Sequence, residues 1–407
     1  MDPHFVDRAG IRERPLRIAV VTETYPPEIN GVARTIGLMV DALLERGHEV
    51  QLVRPRQRSE PALPARPSLS LRLVPGVPIP LYPDLRLGLI SGPSLQKTWR
   101  EWRPDLVHVV TEGPLGWVGV GAAKRLGIPV STDFHTNFHS YSRHYGFGLF
   151  TGLIAGYLRA LHNRADCTLV PTAEMKAGLE ALAFERVSVV GRGVDTRLFN
   201  PGRRSEALRA AWGCRNGETV VLHVGRIAPE KNLGLFVAAA DAMRGVTDVR
   251  VVLVGDGPQS AMLRARYPEF VFCGMRSGED LAAHYASADV FLFPSVTETF
   301  GNVTLEAMAS GLAIVAYDYA AARQHLRHWA SGLLAPAGEA VEFVKMAALL
   351  ARSRDLRMRI ALGARSAAEA LTWEKTFDDF EAVLKRTAEA ARVETGAELP
   401  GSVHAET

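Results

Sequence analysis

Cysteine is scarce in this sequence, and the few cysteines show no sign of a cross-linked or metal-bound structure. The chain has 407 residues and three cysteines, Cys167, Cys214 and Cys273. Their number is odd, they lie far apart, and none belongs to a Cys-x-x-Cys pair or to a Cys/His spacing typical of zinc. This usage favours a reducing, cytoplasmic environment and gives no reason to expect a bound metal.

Long hydrophobic runs are also missing. No segment reaches the roughly 18 uninterrupted apolar residues that a membrane-spanning helix needs, and the N-terminus lacks the apolar centre of a signal peptide. The nearest candidate is the stretch 145–158, which is too short to span a bilayer. It is either a buried helix or a helix that lies on a bilayer surface.

A strong excess of charge of one sign is absent as well. The sequence has 47 Lys and Arg against 44 Asp and Glu, a net charge of +3, which gives no argument for nucleic-acid binding. The stretch 51–103 is uneven, with nine basic and three acidic residues. It is either a surface attractive to anionic lipid or a solvated loop region.

What the sequence does contain is an alternation of strand and helix patterns that occurs twice. Apolar runs rich in β-branched residues are typical of a parallel sheet covered on both faces. They predict strands at 16–22, 48–53, 106–110, 129–133, 167–171 and 187–190, and again at 219–224, 249–254, 270–273, 290–294 and 313–316. A chain of this length exceeds what one core usually holds. We therefore predict an α/β protein with two doubly wound, Rossmann-like domains.

The glycine-rich segment 191–195 is the predicted linker between these domains. We place the first domain at 1–194 and the second at 195–372, followed by a helix at 373–391 and a disordered polar tail at 392–407. Helices are expected at 31–46 and 116–126, and a continuous helical stretch is expected at 342–371. Eight prolines between residues 54 and 83 exclude a regular helix there.

The loop that follows the strand 219–224 carries two cations. Arg226 and Lys231 lie five residues apart in it, and Asn232 is a plausible N-cap for the next helix. Ligands of doubly wound sheets bind beyond the carboxyl ends of the strands, so the two cations can converge on a pyrophosphate. Two ordinary surface cations would have the same spacing.

The segment 294–306 follows another strand and contains two carboxylates. Gly301 permits a close approach to the backbone, and the amides of Asn302 and Val303 at a helix start would face an anion. Glu298 precedes the helix and can reach a sugar hydroxyl, whereas Glu306 lies on its second turn and can reach a ribose. An acidic residue that merely favours a helix start would explain Glu298 but not Glu306, whose neighbours are apolar.

Three other strand ends carry weaker candidates. The turn that begins at Gly255 is a near miss to the dinucleotide fingerprint and is better explained as a tight turn at a ligand edge. His135 can donate to a sugar hydroxyl or a phosphate oxygen, and His139 and His144 are weaker candidates. The loop 25–34, stiffened by two prolines, leaves Gly31 at an open helix start that would face the other domain.

Several common motifs are absent. The sequence has no P-loop, no G-x-S-x-G elbow, and no D-x-D pair that would hold a divalent metal on a diphosphate. The turn after the first strand, residues 23–31, has no G-x-G, which argues against a dehydrogenase. We therefore expect no metal or other cofactor, and expect Arg226 and Lys231 to replace a metal electrostatically.

Taken together, these segments resemble the family-4 retaining glycosyltransferases of the GT-B fold. The specific pieces are ETFGNVTLEAMASGL, with Glu298 and Glu306 in an E-x7-E pattern, and VGRIAPEKN, with Arg226 and Lys231. The resemblance covers about residues 16–391 and implies two facing Rossmann-like domains with a last helix that crosses back to the N-terminal domain. Asn30 stands where many members have glycine, a departure that concerns the acceptor loop and not the class.

The resemblance also implies a role for each candidate residue. Arg226 and Lys231 would neutralise the donor pyrophosphate. Glu298 would hold the donor sugar, Glu306 the ribose, and His135 the sugar near C6. The expected catalytic residues are thus His135, Arg226, Lys231 and Glu298. The other expected donor-binding residues are Gly31, Gly225, Gly255, Gly274, Met275, Phe300, Gly301, Asn302, Val303 and Glu306. The acceptor side would include Asn30, Gly31, Arg34 and Asn137.

The implied reaction is the metal-independent transfer of a hexose from a UDP- or GDP-sugar to an acceptor hydroxyl. The departing diphosphate would take the acceptor proton, so no side-chain base is assigned. The N-terminal half resembles lipid-directed hexosyltransferases and mannosyltransferases, which implies a sugar or lipid acceptor such as diacylglycerol and contact with the inner leaflet of the membrane. The alternatives are a nucleotide-sugar 2-epimerase, an NAD-dependent oxidoreductase and a non-enzymatic binding protein.

Overall fold

The computed structural model describes residues 14–28, 30–57, 66–79, 82–135 and 148–394. Its strands, in chain order, are β1 (Arg17–Val21), β2 (Glu49–Pro55), β3 (Leu69–Val74), β4 (Gly76–Ile79), β5 (Tyr82–Gly88), β6 (Leu106–Val109), β7 (Val130–Asp133), β8 (Cys167–Val170), β9 (Val187–Val189), β10 (Thr219–Val224), β11 (Val249–Val254), β12 (Val271–Gly274), β13 (Val290–Phe293), β14 (Ala313–Tyr317) and β15 (Leu333–Ala335). The predicted strands at 219–224 and 249–254 are confirmed to the residue.

The strands form two parallel sheets and one small hairpin. The first sheet has the order β3-β2-β1-β6-β7-β8-β9, and the second has the order β12-β11-β10-β13-β14-β15. All their pairings are parallel, whereas β4 and β5 pair antiparallel. Central strands such as β10 are buried along their whole length, as expected for a sheet covered on both faces. The predicted pair of doubly wound sheets is confirmed.

Helices cover these sheets. They are α1 (Gly31–Glu45), α2 (Gly92–Trp102), α3 (Pro114–Arg125), α4 (Gly148–His162), α5 (Ala173–Ala181), α6 (Glu206–Ala211), α7 (Leu233–Arg244), α8 (Ser260–Arg266), α9 (Gly278–Ala286), α10 (Asn302–Ala309), α11 (Ala320–His325), α12 (Ala340–Arg352), α13 (Arg354–Glu369) and α14 (Trp373–Glu394). The described residues contain no helix that is long and apolar enough to cross a membrane. The predicted tail at 392–407 lies mostly outside the described residues.

Two local predictions were wrong or incomplete. The expected continuous helix at 342–371 is two helices, because Ser353 has extended backbone angles and its hydroxyl accepts a hydrogen bond from the amide of Leu356 at 3.1 Å, which starts α13. The proline-rich stretch contains no helix among its described residues, as predicted, but part of it forms β3 and the β4–β5 hairpin. Helix α2 was not predicted, although Ser91 caps it and Pro93 lies in its first turn.

The last helix, α14, returns to the first sheet. Its residues Phe380, Val383 and Leu384 are buried in one cluster with Ile18 of β1. Arg46, at the end of α1, forms ion pairs with three carboxylates of this helix, those of Glu374, Asp378 and Glu381. The predicted return of this helix to the N-terminal domain is thus confirmed.

Candidate functional site

A cavity of about 990 Å³ lies between the two sheets' carboxyl ends. Helix α1 and the loop before it form one wall, and the loops that follow β10, β11 and β12, with the start of α10, form the other. In the second sheet β10 lies between β11 and β13, so the strand order reverses at this crevice. Ligands of doubly wound folds bind at such a reversal.

The cavity separates the sequence candidates into two groups. Those that line it are Asn30, Gly31, Arg34, Gly225, Arg226, Lys231, Gly255, Met275, Asn302, Val303 and Glu306. Those that do not line it are His135, Gly274, Glu298, Phe300 and Gly301, of which Glu298 and Phe300 line a second, much smaller cavity. The remaining candidates, Asn137, His139 and His144, lie outside the described residues. Most of the predicted donor and acceptor residues therefore share one cavity.

The loops after β10 and β11 meet through two glycines. Gly225 has φ 146° and Gly255 has φ 129°, which are angles that other residues rarely adopt. The amide of Gly255 donates to the carbonyl of Gly274 at 2.8 Å, and the amide of Gly225 donates to Val254 at 3.0 Å. A Cβ atom on Gly255 would lie 2.0 Å from the carbonyl oxygen of Gly225. The turn around Gly255 is therefore a close backbone crossing, as predicted for a tight turn at a ligand edge.

Each cation of the β10 loop is paired with a carboxylate. Arg226 binds Glu230 through Nε, at 2.9 Å, and also through Nη2. Lys231 binds Glu298, which also accepts a hydrogen bond from the hydroxyl of Ser295 at 2.6 Å. Burial opposes the charge of Glu298, but the adjacent ammonium and these hydrogen bonds hold its pKa below the usual value. The Lys231–Glu298 pair is thus charged and buried at one edge of the cavity.

This pairing changes how Glu298 can act. Sequence reasoning placed its carboxylate toward a sugar hydroxyl, whereas in the structure it binds Lys231 and does not line the cavity. Asn232 is the N-cap residue of α7, as predicted, but its backbone is left-handed and its side chain makes no capping hydrogen bond. Its side-chain amide instead donates to the carbonyl of Pro294 at 3.4 Å. The side chain ties the β10 loop to the β13 loop.

The start of α10 presents backbone amides to the cavity. Gly301 precedes the helix with φ 92°, and Asn302 and Val303 occupy its first positions. The first amides of a helix have no partner within it, and the helix dipole favours an anion there. The predicted helix start is confirmed, and an anion such as phosphate fits its surroundings.

Glu306 is bound on both of its carboxylate oxygens. Its neighbours Leu305, Ala307 and Met308 are fully buried, as the sequence predicted. Tyr285 of α9 donates its hydroxyl to one oxygen at 2.9 Å, and Arg34 of α1 donates Nη1 to the other. The contact joins residues 272 positions apart and crosses from one domain to the other. Sequence reasoning assigned Arg34 to the acceptor side and gave no signal of this contact.

The N-terminus of α1 is not open, contrary to the prediction. The side chain of Asn30 accepts a hydrogen bond from the amide of Ala33 at 2.8 Å, and its own amide donates to Thr24 at 2.7 Å. Its backbone is extended, so the tolerance of asparagine for unusual angles is not used here. Gly31 is the first residue of the helix and still lines the cavity.

His135 follows β7, as predicted, but its ring is directed toward a carboxylate. Its Nε2 atom lies 3.3 Å from Asp133 Oδ2, and Nε2 of His108 lies 3.6 Å from the same oxygen. Burial opposes the charge of Asp133, yet the interactions with His108 and His135 hold its pKa well below the usual value. The carbonyl of His135 accepts a 3.4 Å hydrogen bond from Thr299, so this strand end touches the β13 loop. Asp133 was assigned no role from the sequence.

Buried histidines predict an acid-sensitive protein. Burial lowers the pKa of His162 and of His223 to about 3, while both titrate near 6.5 in the unfolded chain. Between these values the unfolded state binds the extra protons, so we expect stability to fall from pH 6.5 to pH 5 by about 1.4 kcal/mol per pH unit for each histidine. Thermal melts at several pH values measure the slope.

A matched variant tests the source of this slope. Both ring nitrogens of His223 lack a hydrogen-bond partner within the described residues, and its ring packs against Phe236 at 5.5 Å. His223→Phe should therefore fold and show a shallower pH slope than the wild type. An unchanged slope in this variant would show that His223 does not titrate as its burial requires.

Metal binding finds no support in the geometry of the described residues. No group of three or more His, Cys, Asp or Glu side chains there is arranged to hold a metal ion. Metal independence remains a prediction, to be tested with a chelator.

Family models match both halves of the chain. The model described as Glycosyltransferase Family 4 matches residues 29–198, and the model described as Glycosyl transferases group 1 matches residues 218–353. Among solved structures, sucrose-phosphate synthase from Thermosynechococcus elongatus aligns over 93% of this chain and all of its own, with a TM-score of 0.75 and 18% identity. Anabaena HepE in complex with UDP-glucose aligns over 91% of this chain and all of its own, with a TM-score of 0.70 and 20% identity. These similarities support the GT-B fold.

Curated relatives align with most of this chain. Over 379 residues the chain is 35% identical to a GDP-mannose-dependent alpha-mannosyltransferase of Mycolicibacterium smegmatis, covering 91% of this chain and 98% of the relative. It is 27% identical over 319 residues to an alpha-monoglucosyldiacylglycerol synthase of Streptococcus pneumoniae, covering 74% of this chain and 71% of the relative. The two-domain fold, the family models and the first of these relatives together show that this chain belongs to glycosyltransferase family 4.

Proposed function

We propose that this protein transfers a hexose from a nucleotide diphosphate sugar to an acceptor hydroxyl, with retention of configuration. The observation that carries the proposal is the cavity itself. The β10 loop with its two ion-paired cations, the N-terminus of α10 and the Glu306 carboxylate all line this one space. The relatives named as GDP-mannose-dependent enzymes favour GDP-mannose as donor, and UDP-hexoses are the second candidates. Family membership favours transfer over the epimerase, oxidoreductase and binding-protein alternatives.

The residues of the site act on two parts of the donor, its diphosphate leaving group and its sugar hydroxyls. Arg226 can exchange Glu230 for phosphate oxygens, because its side chain is 46% exposed and lines the cavity. Lys231, only 18% exposed, supplies a second positive charge in a poorly hydrated place, where charges interact more strongly than in water. The amides of Asn302 and Val303 add dipoles. Such preorganised groups stabilise the negative charge that develops on a departing diphosphate.

Glu298, Glu306 and His135 act on the donor's hydroxyl groups in this proposal. Glu306 binds the ribose, while Glu298 keeps Lys231 in place and binds the sugar hydroxyls in the donor complex. The ring of His135 lies beside Asp133 at the same end of the first sheet, with Nε2 3.3 Å from Oδ2. The departing diphosphate takes the acceptor proton, so no metal and no side-chain base is required.

The acceptor proposed here is a lipid such as diacylglycerol. The α1 side of the cavity offers apolar surface at Pro26, Pro27, Leu38 and Leu69, next to charged side chains. Helix α4 is only half covered: Leu158 is buried, whereas Leu153 is 69% exposed and Tyr157 is 42% exposed. An exposed apolar face of this kind suits peripheral contact with a bilayer. The relatives named as glucosyldiacylglycerol synthases agree with this proposal.

A nucleotide panel followed by transfer assays tests the proposal. We expect GDP or UDP to raise the melting temperature, equally with and without EDTA, because a ligand that binds only the folded state stabilises it by mass action. The stabilising nucleotide then identifies the sugar donor for assays with diacylglycerol in anionic vesicles. The absence of any nucleotide effect, or stabilisation by NAD alone, would contradict the proposed function, and transfer only to soluble sugars would contradict the lipid acceptor.

A further inference from the structure

The contact between Arg34 and Glu306 places a side chain of the first domain in the donor site. Arg34 lies in the first turn of α1, lines the cavity, and donates to one oxygen of Glu306, while Tyr285 donates to the other. Glu306 is the carboxylate assigned to the ribose under the proposed function. A ribose that binds this carboxylate through two hydroxyls therefore approaches oxygens that already have a partner each, and it competes most directly with the partner that can move.

Tyr285 is the partner that stays. It is fully buried in the core cluster of the second domain, and its ring packs edge-on against Phe199 at 5.7 Å. Moving its hydroxyl would leave a buried polar group without a partner, which is costly. The Tyr285–Glu306 contact therefore belongs to the rigid part of the site.

Arg34 is the partner that can leave. Its side chain is 44% exposed, whereas that of Glu306 is 7% exposed. The guanidinium can thus regain water when the bond breaks, and a hydroxyl pair can take its place at the carboxylate. Its guanidinium carbon also lies 5.7 Å from the centre of the Phe199 ring, a contact that does not require the bond to Glu306. Of the two partners of Glu306, Arg34 is therefore exchangeable and Tyr285 is fixed.

We infer that Arg34 competes with the donor ribose for Glu306 and thereby weakens nucleotide binding. This inference rests on the proposed function. The same exchange in reverse assists release of the nucleotide product, because Arg34 returns to the carboxylate as the ribose leaves. Release is often the slow step of such enzymes. Arg34 is in this sense a positioning residue that sets nucleotide affinity.

Calorimetric titration of the full chain with GDP and with UDP tests the inference. Arg34→Ala is expected to lower the Kd of the nucleotide that binds by about two- to fivefold, which is the range expected for loss of one partly exposed competing ion pair. Arg34→Gln, which removes the charge but keeps a shorter polar side chain, should change Kd in the same direction. An equal or higher Kd in these variants would overturn the inference, since it would mean that Arg34 is indifferent or binds the donor itself.

Arg323→Ala is the matched control. Arg323 also forms an ion pair between the domains, with Glu174 at 2.5 Å, and its side chain is 47% exposed, but it does not line the cavity. Its loss should leave Kd unchanged. A similar decrease of Kd in this variant would assign the effect to loosened domains and overturn the inference. Wild-type protein that binds neither nucleotide would instead overturn the proposed function, and the inference with it.

Discussion

Lys231→Ala is expected to lower kcat/KM by about 10²- to 10³-fold, the range seen when one preorganised group that stabilises developing negative charge is removed. The ammonium is largely buried at the cavity edge and lies on the loop after β10, where the strand order reverses. Its charge therefore acts where water screens it little. Initial-rate measurements over a range of donor concentrations give the loss.

The same substitution also removes the partner of Glu298, and this effect must be separated from catalysis. A buried carboxylate left without its cation destabilises a protein by about 3–5 kcal/mol. The double variant Lys231→Met with Glu298→Gln removes both charges, so it should recover most of the melting temperature but not the activity. Recovery of activity in the double variant would show that Lys231 acts only through Glu298.

Lys345→Ala controls for the general loss of a lysine. This residue lies on α12, is 62% exposed, pairs with Glu342 and is outside the cavity. Its replacement should leave both rate and stability within experimental error. If Lys231→Ala kept turnover within twofold of the wild type, the assignment of the donor site to the β10 loop would be wrong.

The second large effect is expected for Gly255→Ala, which should disturb the backbone that forms the site. The new Cβ would meet the carbonyl oxygen of Gly225 at 2.0 Å, and φ at this position is +129°. Strained backbone and overpacking each cost about 1–3 kcal/mol, so we expect a clear fall in the melting temperature and a loss of nucleotide binding. Thermal and urea unfolding of the purified variant measure the change.

Gly234→Ala, in the same domain, is expected to stabilise the protein instead. Gly234 lies near the start of α7, and among the described residues no neighbouring atom lies within 4 Å of the place that a Cβ would occupy. A helical glycine replaced by alanine without a clash should raise stability by about 0.5–1 kcal/mol. Equal melting temperatures for Gly255→Ala and the wild type would show that the two loops do not cross as closely as described.

The local pattern of the sequence was enough for most of the architecture. Strands β10 and β11 were predicted to the residue because runs rich in β-branched and aliphatic residues, each with a single polar interruption at His223 or Arg250, mark strands buried on both faces. The start of α10 was predicted because a glycine precedes an apolar helical pattern. The missed α2 had an equally local signal in Ser91 and Pro93, so sequence reasoning could have found it.

Pairings between distant residues were beyond the reach of a single sequence. The carboxylates of Glu298 and Glu306 were recognised as functional, but nothing in their neighbourhood indicates Lys231 or Arg34 as partners. The residues of the first pair are 67 positions apart and those of the second 272. Such contacts depend on how loops and domains pack, which no local periodicity encodes.

The sequence by itself thus determined the fold class, the strand-end loops that carry the site and the chemical types available there, because these follow from hydrophobic period and short-range turn chemistry. Only the tertiary structure decided which side chains face the cavity and which are neutralised by a partner. The physical reason is that a charge's role depends on its burial and its nearest opposite charge. Both are set by chain segments far apart in sequence, as Arg34 and Glu306 show.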